Sequence, residues 1–245
     1  MNISMRKYLA VALAGVIAFG VVSIATAGES VQTEVGKVKP KKLPKKGRKN
    51  VKLKNTITTF NAPGEMQPKS AKRTILDLPK QIKVKRKSVK FCKTNASGLG
   101  LAATTSDAKK ACGRKSQVSK NRGSSAVVTV AGVGEIDVEV TAFNENGKKL
   151  LLFSKPIGDA AGIPASILVG KLKRSKSGKK YKKALDVTIP PLAAGAISFF
   201  EVTIKKGKFL KAKCRPKKMH FRAKTVFTDG TKTVDKDKFK CKQKK

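Results

Sequence analysis

The sequence predicts an all-β protein, an antiparallel β-sandwich of roughly 8–11 strands, rich in hairpins and with at most one or two short helices. Three observations predict this class. Apolar and polar residues alternate along many short segments, turn-forming pairs such as Asn146-Gly147 separate them, and helical periodicity is scarce. Short strands joined by short turns favour two packed antiparallel layers.

The first 27 residues have the pattern of a secretory signal helix. Arg6 and Lys7 precede an apolar run over residues 8–25, and Ala25 and Ala27 place small side chains where a signal peptidase cleaves. A permanent membrane anchor is the alternative, because the run is close to the lower length limit for crossing a bilayer. We therefore expect residues 1–27 to be removed, no transmembrane segment to remain, and the protein to be secreted or associated with the cell envelope.

Two units are expected after the signal. Residues 28–48 are rich in lysine and interrupted by proline and glycine, which predicts a basic flexible arm. Residues 49–245 then form a single β-sandwich domain. Its first strand places Val51, Leu53 and Ile57 on one face, and a second alternating run follows before the first cysteine.

Four hairpins account for most of the later strands. Their turns are predicted at Asn146-Gly147, in the loop 174–183, at Lys206-Gly207 and at Asp229-Gly230. The one helix expected there lies over the segment SDAKKACG, where Ser106 could cap the start and Gly113 the end.

The four cysteines are expected to form two structural disulfides; they are Cys92, Cys112, Cys214 and Cys241. None lies in a Cys-x-x-Cys motif or in a close pair with histidine, which disfavours redox and zinc sites. An even number of cysteines in an exported chain favours disulfides. Three pairings are possible from the sequence. Pairing Cys92 with Cys112 would close a polar loop over residues 92–112, and pairing Cys214 with Cys241 would close the last hairpin.

Positive charge dominates the composition. Lysine and arginine number 56 against 15 acidic residues, for a formal net charge of +41. Only nine of the basic residues are arginine, and arginine rather than lysine suits bidentate recognition of phosphates and carboxylates. The lysine excess therefore indicates charge matching more than shaped recognition. The chain has no tryptophan and few tyrosines, so base-stacking platforms are scarce and a specific nucleic-acid partner is disfavoured.

Two lysine-rich segments are the candidate polyanion-binding surfaces, one in residues 39–54 and one in residues 171–183. The candidate residues are Lys41, Lys42, Lys45, Lys46, Arg48, Lys49, Lys171, Lys173, Arg174, Lys176, Lys179 and Lys180.

No sequence motif points to catalysis. The chain lacks a Gly-x-Ser-x-Gly elbow, a zinc-ligand pair and a phosphate-cradling loop. The acidic strand face over residues 135–139 could suggest a hard-cation site, but a solvated face is favoured. A deep pocket ringed by His220, Glu201 and Ser198 would instead favour a hydrolase. We expect no catalytic residue, metal or cofactor.

Several segments resemble a known group of proteins. TILDLPKQIKVKRKSVKFC, KKACGRKSQVSKNRGSSAVV, LDVTIPPLAAGAISFFEVTIKK and the terminal Thr-Asp-Gly-Thr hairpin ending in Lys-Cys resemble uncharacterised exported proteins of high-GC Gram-positive (actinobacterial) bacteria. Gly113 stands where that pattern often has proline, and Ser119 and Arg122-Gly123 stand where a Gly-x-Gly turn is expected. The resemblance implies an exported β-sandwich with paired cysteines, and it supplies no catalytic residues.

These features predict a non-enzymatic, exported, strongly cationic protein that associates electrostatically with anionic cell-envelope polymer, such as wall phosphopolymer or acidic polysaccharide. The alternative is a structural or adhesive β-sandwich that binds a protein partner, with its lysines serving solubility.

Overall fold

The fold is mostly β, as predicted. The computed structural model describes residues 31–120, 124–191, 195–205 and 207–244, and the predicted signal segment, residues 1–27, lies outside them. The strands, in chain order, are β1 (Gln32–Lys39), β2 (Lys42–Pro44), β3 (Lys49–Asn50), β4 (Lys52–Thr59), β5 (Ala71–Pro79), β6 (Ile82–Val84), β7 (Ser125–Val130), β8 (Gly134–Asn144), β9 (Lys149–Pro156), β10 (Ser166–Arg174), β11 (Tyr181–Thr188), β12 (Gly195–Ile204), β13 (Leu210–Ala212), β14 (Lys218–Phe227), β15 (Lys232–Lys240) and β16 (Lys242–Lys244). The helices are α1 (Ala96–Gly100) and α2 (Thr105–Cys112), and single 3-10 turns lie at Arg86–Ser88, Arg114–Ser116 and Gly158–Ala160.

Eleven strands form the main sheet, in the order β1-β4-β12-β7-β8-β9-β10-β11-β5-β14-β15. Every neighbouring pair in it is antiparallel. Three predicted hairpins are confirmed, namely β8–β9, β10–β11 and β14–β15. Gly147 and Gly230 sit in two of their turns with φ of 73° and 87°, which explains the glycine in each turn pair. Two small sheets, β3-β13-β6 and β16-β2, complete the fold.

The two outermost strands of the main sheet, β1 and β15, meet through side chains. The carboxylates of Asp235 and Asp237 on β15 accept backbone N–H groups of Glu34 and Gly36 on β1, at 2.5 and 2.8 Å. Acidic side chains thus satisfy amides that a neighbouring strand would otherwise bind. The main sheet is therefore nearly closed and barrel-like, and it does not divide clearly into the two layers of the predicted sandwich.

The segment predicted as a flexible arm, residues 28–48, differs in the structure. It contains β1, which pairs with β4 over its full length, and β2, which pairs with β16. β1 alternates buried and exposed residues, with Val38 in the core. Gly36 lies against the ring of Phe221, where a Cβ atom would clash. The lysines of β1 face outward, so its high charge does not prevent it from joining the sheet.

The third predicted hairpin, turning at Lys206-Gly207, is wrong; Lys206 itself lies outside the described residues. β12 pairs with β4 and β7, whereas β13 pairs with β3 and β6. Alternation identifies strands but does not choose their partners. A β-bulge between Ile197 and Phe199 also shifts the alternation in β12, so that Ile197 and Phe200 both face the interior.

Two apolar cores result. The larger one fills the interior of the main sheet, where Leu152, Val202 and Phe221 are at most 6% exposed. The smaller one lies on the outer face of β8, β9 and β10, where α1 and α2 cover Phe143 and Phe153. The same strands β8 and β9 are buried on both faces, which explains the unbroken apolar run in β9.

The helix over SDAKKACG is confirmed as α2, with a different start. Thr104, not Ser106, is its N-cap, and its hydroxyl accepts a backbone N–H of the first turn at 3.2 Å. Gly113 ends the helix with φ of 78°. A second short helix, α1, is capped by Asn95. The cysteine-bounded segment 92–112 is therefore a pair of short helices rather than a simple polar loop.

Both disulfides form within local units. Cys92 pairs with Cys112 and Cys214 with Cys241, and no free cysteine is found among the described residues. The first bridge fastens the helix pair to the smaller core, and the second lies in the larger core. Two disulfides indicate an oxidising environment, as expected for a protein outside the cytoplasm.

Neither helix in the described part of the chain has the length and apolarity needed to cross a membrane.

Strands β10 and β11 define two ends of the main sheet. β10 begins at Ser166 and ends at Arg174, and β11 returns from Tyr181 to Thr188. Nine residues of strand span roughly 25 Å. We call the end near Arg174 and Tyr181 the basic end, and the end near Ser166 and Thr188 the apolar end.

Candidate anion-binding groove

An open groove of about 720 Å³ lies at the basic end. Its lining consists of nine cationic side chains together with Ser175, Gly178 and Tyr181. The nine cations are Arg48, Lys80, Arg174, Lys176, Lys179, Lys182, Lys183, Lys213 and Arg215. No acidic residue is among the described residues that line it. We refer to this surface as the basic groove.

The loop between β10 and β11 forms one wall of the basic groove, and hydrogen bonds fix its shape. The hydroxyl of Ser175 donates to the buried carboxylate of Asp77 at 2.6 Å and accepts the backbone N–H of Ser177 at 3.1 Å. The backbone N–H of Lys80 donates to the carbonyl of Lys180 at 3.1 Å, which joins this loop to the turn after β5. The lysines of the loop thus project from an ordered backbone.

The second disulfide supports another wall. Cys214 lies between Lys213 and Arg215, is fully buried, and donates its backbone N–H to the carbonyl of Pro44 at 2.9 Å. Gln243 donates to the carbonyl of Cys214 at 2.7 Å. The bridge to Cys241 and these two hydrogen bonds hold the adjacent cations in place.

Four of the twelve predicted polyanion-binding residues line the basic groove, and they come from both lysine-rich segments. They are Arg48 from the first segment and Arg174, Lys176 and Lys179 from the second. The structure therefore brings the two segments to one surface. The other exposed candidates lie outside the lining; these are Lys41, Lys42, Lys45, Lys46, Lys49, Lys171 and Lys180.

Lys173, another predicted residue, is engaged in an ion pair instead. Its ammonium lies 2.6 Å from Asp186, and Arg73 binds the same carboxylate through two hydrogen bonds of 2.8 Å. Hydrogen bonding from Arg73, and then from Lys173, lowers the pKa of Asp186 to about 2. The charge of Lys173 is therefore neutralised within the protein, and this residue does not line the basic groove.

Sequence reasoning missed the remaining cations of the groove, above all Lys80, Lys213 and Arg215. They are distant in sequence from both lysine-rich segments and arrive through the turn after β5 and the second disulfide. The signal available was the position of Cys214 between two basic residues, because a disulfide holds its neighbours in place.

The cations of this end act on the sole histidine of the chain. Burial lowers the pKa of His220, and the charges of Lys180, Lys238, Lys218 and Lys80 lower it further. Burial first, and the positive field of the lysines second, thus favour the neutral form of His220.

Arginine is enriched in the groove relative to the chain. Three of the nine arginines lie there among nine cations, against nine arginines in 56 basic residues overall. Tyr181 adds a phenol whose pKa is raised by its burial, so it remains a neutral hydrogen-bond donor. Planar guanidinium groups beside a hydroxyl suit oxyanions of phosphate, sulfate or carboxylate type. At this surface, directed hydrogen bonds from arginine and tyrosine can therefore add to the charge matching that the sequence predicts.

The residues required for the hydrolase alternative lie apart. Glu201 accepts from Lys54 at 2.6 Å, and Ser198 donates to the carbonyl of Val127 at 3.3 Å, both on β12. His220 lies on β14, which is not a neighbour of β12 in the sheet. Among the described residues, no group of three or more His, Cys, Asp or Glu side chains could hold a metal ion.

No family model matches this chain, and no curated protein and no solved structure is significantly similar to it. The resemblance to exported actinobacterial proteins stays a prediction.

Proposed function

We propose that this protein is an exported, non-enzymatic binding protein that attaches to anionic cell-envelope polymer through the basic groove. The observation that carries the proposal is the convergence of nine cations on one ordered concave surface with no acidic side chain among its described lining residues.

Gathering cations without acidic partners lowers the stability of the folded protein, which favours a binding role for this surface. Like charges repel, so nine cations gathered at one surface destabilise the fold unless a counter-charge is present. Acidic partners do neutralise other cations of the chain, such as Lys54 and Lys173. The lining residues that the structure describes include no acidic partner, which leaves the cations of the groove available to an external anion.

The binding mechanism combines two contributions. Lysines attract the polymer over a distance set by ionic strength, about 10 Å at 0.1 M salt. Arg48, Arg174 and Arg215 can then each form paired hydrogen bonds to a single phosphate or carboxylate group. Because the groove is open, the polymer can continue past both ends of it. A phosphopolymer or an acidic polysaccharide fits these requirements, and a compact neutral ligand does not.

The test is the affinity of the full chain for sodium polyphosphate and for polygalacturonate, measured by calorimetry across a salt series. We expect both polymers to bind, polyphosphate more tightly, with affinity falling steeply as salt rises. The triple variant Arg48→Gln, Arg174→Gln, Arg215→Gln should weaken binding by at least about tenfold, because charged hydrogen bonds are lost.

A matched control separates the groove from the overall charge. The triple variant Lys87→Gln, Arg114→Gln, Lys115→Gln also removes three positive charges, but from residues outside the groove lining. It should reduce affinity far less than the groove variant. Equal losses in the two triple variants would show that only net charge matters, and would reject the groove as the site.

A further inference from the structure

The apolar end of the main sheet contains a second cavity, far from the basic groove. It has a volume of about 290 Å³ and is lined by residues such as Val128, Ile136 and Pro156. Ser154 and Ser166 are the only residues with polar side chains among those described in its lining. A smaller cavity of about 90 Å³ lies in the core, and its wall shares Leu168, Ile197 and Phe200 with this one.

A buried polar atom in the wall lacks a partner. Ser154 is 9% exposed, and its hydroxyl has no hydrogen-bond partner among the described residues. Burying a hydroxyl without a hydrogen bond is unfavourable. In register, Ser154 lies opposite Ser166 on the neighbouring strand, so two hydroxyl-bearing residues mark one place on an otherwise apolar wall.

The rim of this end is also apolar. The loops there carry five of the nine exposed large hydrophobic residues found in the described chain. These are Phe60, Met66, Val133, Ile157 and Ile163, and their exposures run from 45% to 75%. Ile163 also lines the cavity, and exposed apolar residues gathered at one end favour a binding surface over scattered exposure.

Side-chain hydrogen bonds order the rim loops. The ammonium of Lys155 donates to the carbonyls of Ala161 and Ile163, both at 2.8 Å. The side chain of Gln67 accepts the backbone N–H of Ala131 at 3.0 Å, which joins two other rim loops. The apolar side chains are thus presented by an ordered scaffold.

From these observations we propose that the apolar end binds the aliphatic chain of a lipid. The chain enters between the rim residues and lies along the apolar wall, and the hydroxyl of Ser154 donates to an oxygen where the head group begins. The volume is near the lower end of the range of about 300–1,000 Å³ usual for small-molecule pockets, which favours one slender chain over a bulky ring system. The site is independent of the basic groove.

The probe is cis-parinaric acid, a fatty acid whose fluorescence rises when it leaves water, and the absence of tryptophan in the chain keeps the background low. We expect saturable binding to the full chain that is displaced by palmitic acid and unchanged by high salt. Salt independence distinguishes this site from attraction of the probe's carboxylate to the cationic surface.

A matched pair of variants tests the location. Val128→Phe fills the cavity, whereas Val127→Phe places the same ring on the opposite face of the same strand. We expect Val128→Phe to weaken probe binding by at least about tenfold, because a filled cavity excludes the chain, and Val127→Phe to leave it unchanged. Both variants carry the apolar residues 8–25, so any probe bound there contributes equally.

A third variant covers the case in which Val128→Phe does not fold. Ser154→Leu removes the unpaired hydroxyl and narrows the cavity, so its midpoint of urea unfolding should be equal to or above that of the parent protein while probe binding falls. Parent-like binding by every folded cavity variant, or binding abolished by salt, would overturn the proposal. So would a concentration-dependent dimer that Val133→Ser dissociates, because a second copy would then be the occupant of this end.

Discussion

The two ends of the main sheet share the same strands but have opposite surface chemistry. At the basic end, nine cations surround an open groove. At the apolar end, exposed hydrophobic residues surround a cavity whose lining is almost entirely apolar. Strand alternation fixes which residues face the interior, whereas the loops at each end determine what the protein presents to a partner. The net charge of +41 therefore conceals a molecule that is strongly asymmetric along its strands.

The means of ordering also differ between the ends. The basic end is held by a disulfide, by the bond of Ser175 to Asp77, and by backbone hydrogen bonds. The apolar end has no disulfide among its described residues, and its loops are ordered by backbone hydrogen bonds and by the side chains of Lys155 and Gln67. Repulsion among cations requires the stronger restraints, because they must oppose a force that acts on every residue of the groove.

Removing the second disulfide should have the largest effect, because it should impair the basic end and spare the apolar end. The variant Cys214→Ser, Cys241→Ser opens a link between residues separated by 27 positions, and we expect a loss of about 3–4 kcal/mol in the free energy of unfolding. Polyphosphate binding should weaken, because Lys213 and Arg215 lose their support, while cis-parinaric acid binding should persist. Urea unfolding and the two binding assays measure these changes.

The first disulfide is the control. Cys92→Ser, Cys112→Ser should also destabilise the fold, but through the smaller core on the outer face of the sheet. Polyphosphate binding should then remain close to that of the parent protein under conditions where the variant is folded. Equal weakening of polyphosphate binding by both variants would contradict a special role for the second disulfide.

A carboxyl group at the seam between β1 and β15 should make stability depend on pH. Burial is the main reason that the pKa of Glu34 is raised from 4.5 to about 9, although a hydrogen bond from Asn55 opposes it. Between these values the unfolded chain ionises Glu34 and the folded chain does not, so stability falls as pH rises, by up to about 1.4 kcal/mol per pH unit. Below pH 4.5 both states are protonated and the penalty vanishes.

Glu34→Gln keeps the shape and the acceptor oxygen but cannot ionise. Its midpoint of urea unfolding should exceed that of the parent protein at pH 8 and approach it at pH 5. Glu34 lines neither the basic groove nor the apolar cavity. At pH 5 the affinities of the variant for polyphosphate and for cis-parinaric acid should therefore be close to those of the parent protein. A difference in midpoint that is the same at pH 5 and pH 8 would show that Glu34 is not buried as a neutral acid.

A change at Asp77 tests whether the order of the loop between β10 and β11, and not only the charge of the groove, contributes to polyphosphate binding. Asp77→Asn raises the net charge by one, so charge alone would strengthen polyphosphate binding. We expect binding to weaken severalfold instead, because Ser175 loses its charged acceptor and the loop is less well positioned, at a cost of about 1–3 kcal/mol in stability. Asp107→Asn, the same change of charge at a partly exposed position in α2 outside the groove lining, is the control. Tighter binding by Asp77→Asn would show that loop order is unimportant.

The smallest expected effect is a shift in the titration of His220. Lysines near the groove contribute to lowering its pKa, so a bound polyanion should raise that pKa by neutralising them. Since this is the only histidine in the chain, its ring proton signals can be followed by NMR across pH with and without polyphosphate. Addition of cis-parinaric acid should leave the titration unchanged. A shift with both ligands would mean that the two ends are not independent.

Much of the β architecture was predictable, because turn chemistry and alternation are local. Asn146-Gly147 and Asp229-Gly230 both mark hairpins that the structure contains. β1 is not predicted, because its lysines and the prolines that follow it are typical of a flexible segment. Its buried positions alternate with exposed ones, but only one of the buried residues, Val38, is a large apolar residue. The pairing of β12 and the near closure of the sheet depend on contacts between distant residues, such as Asp237 with Gly36, and no local pattern encodes those.

The candidate groove was predictable only in its chemistry. The sequence identifies Arg48 and Arg174 as cations of lysine-rich segments, yet their common location follows from strand order rather than from composition. Lys80 comes to the same surface because the turn after β5 packs on the loop before β11. The apolar cavity gave no sequence signal, because the residues that line it, such as Leu168 and Phe200, look like ordinary core residues.

The seam between β1 and β15 also bears on how this protein behaves when its charge is neutralised. Many copies crowded on one anionic polymer lose the repulsion that keeps them apart, and unpaired strand edges then become sites of aggregation. Here the outermost strands of the main sheet face each other, with the aspartates of β15 occupying amides of β1. Four of the five outward positions of β15 are lysines, including Lys236 and Lys238, and the fifth is Val234. Lysines on an outermost strand oppose the approach of another strand. We therefore expect the protein to remain free of fibrils when it is concentrated on polyphosphate.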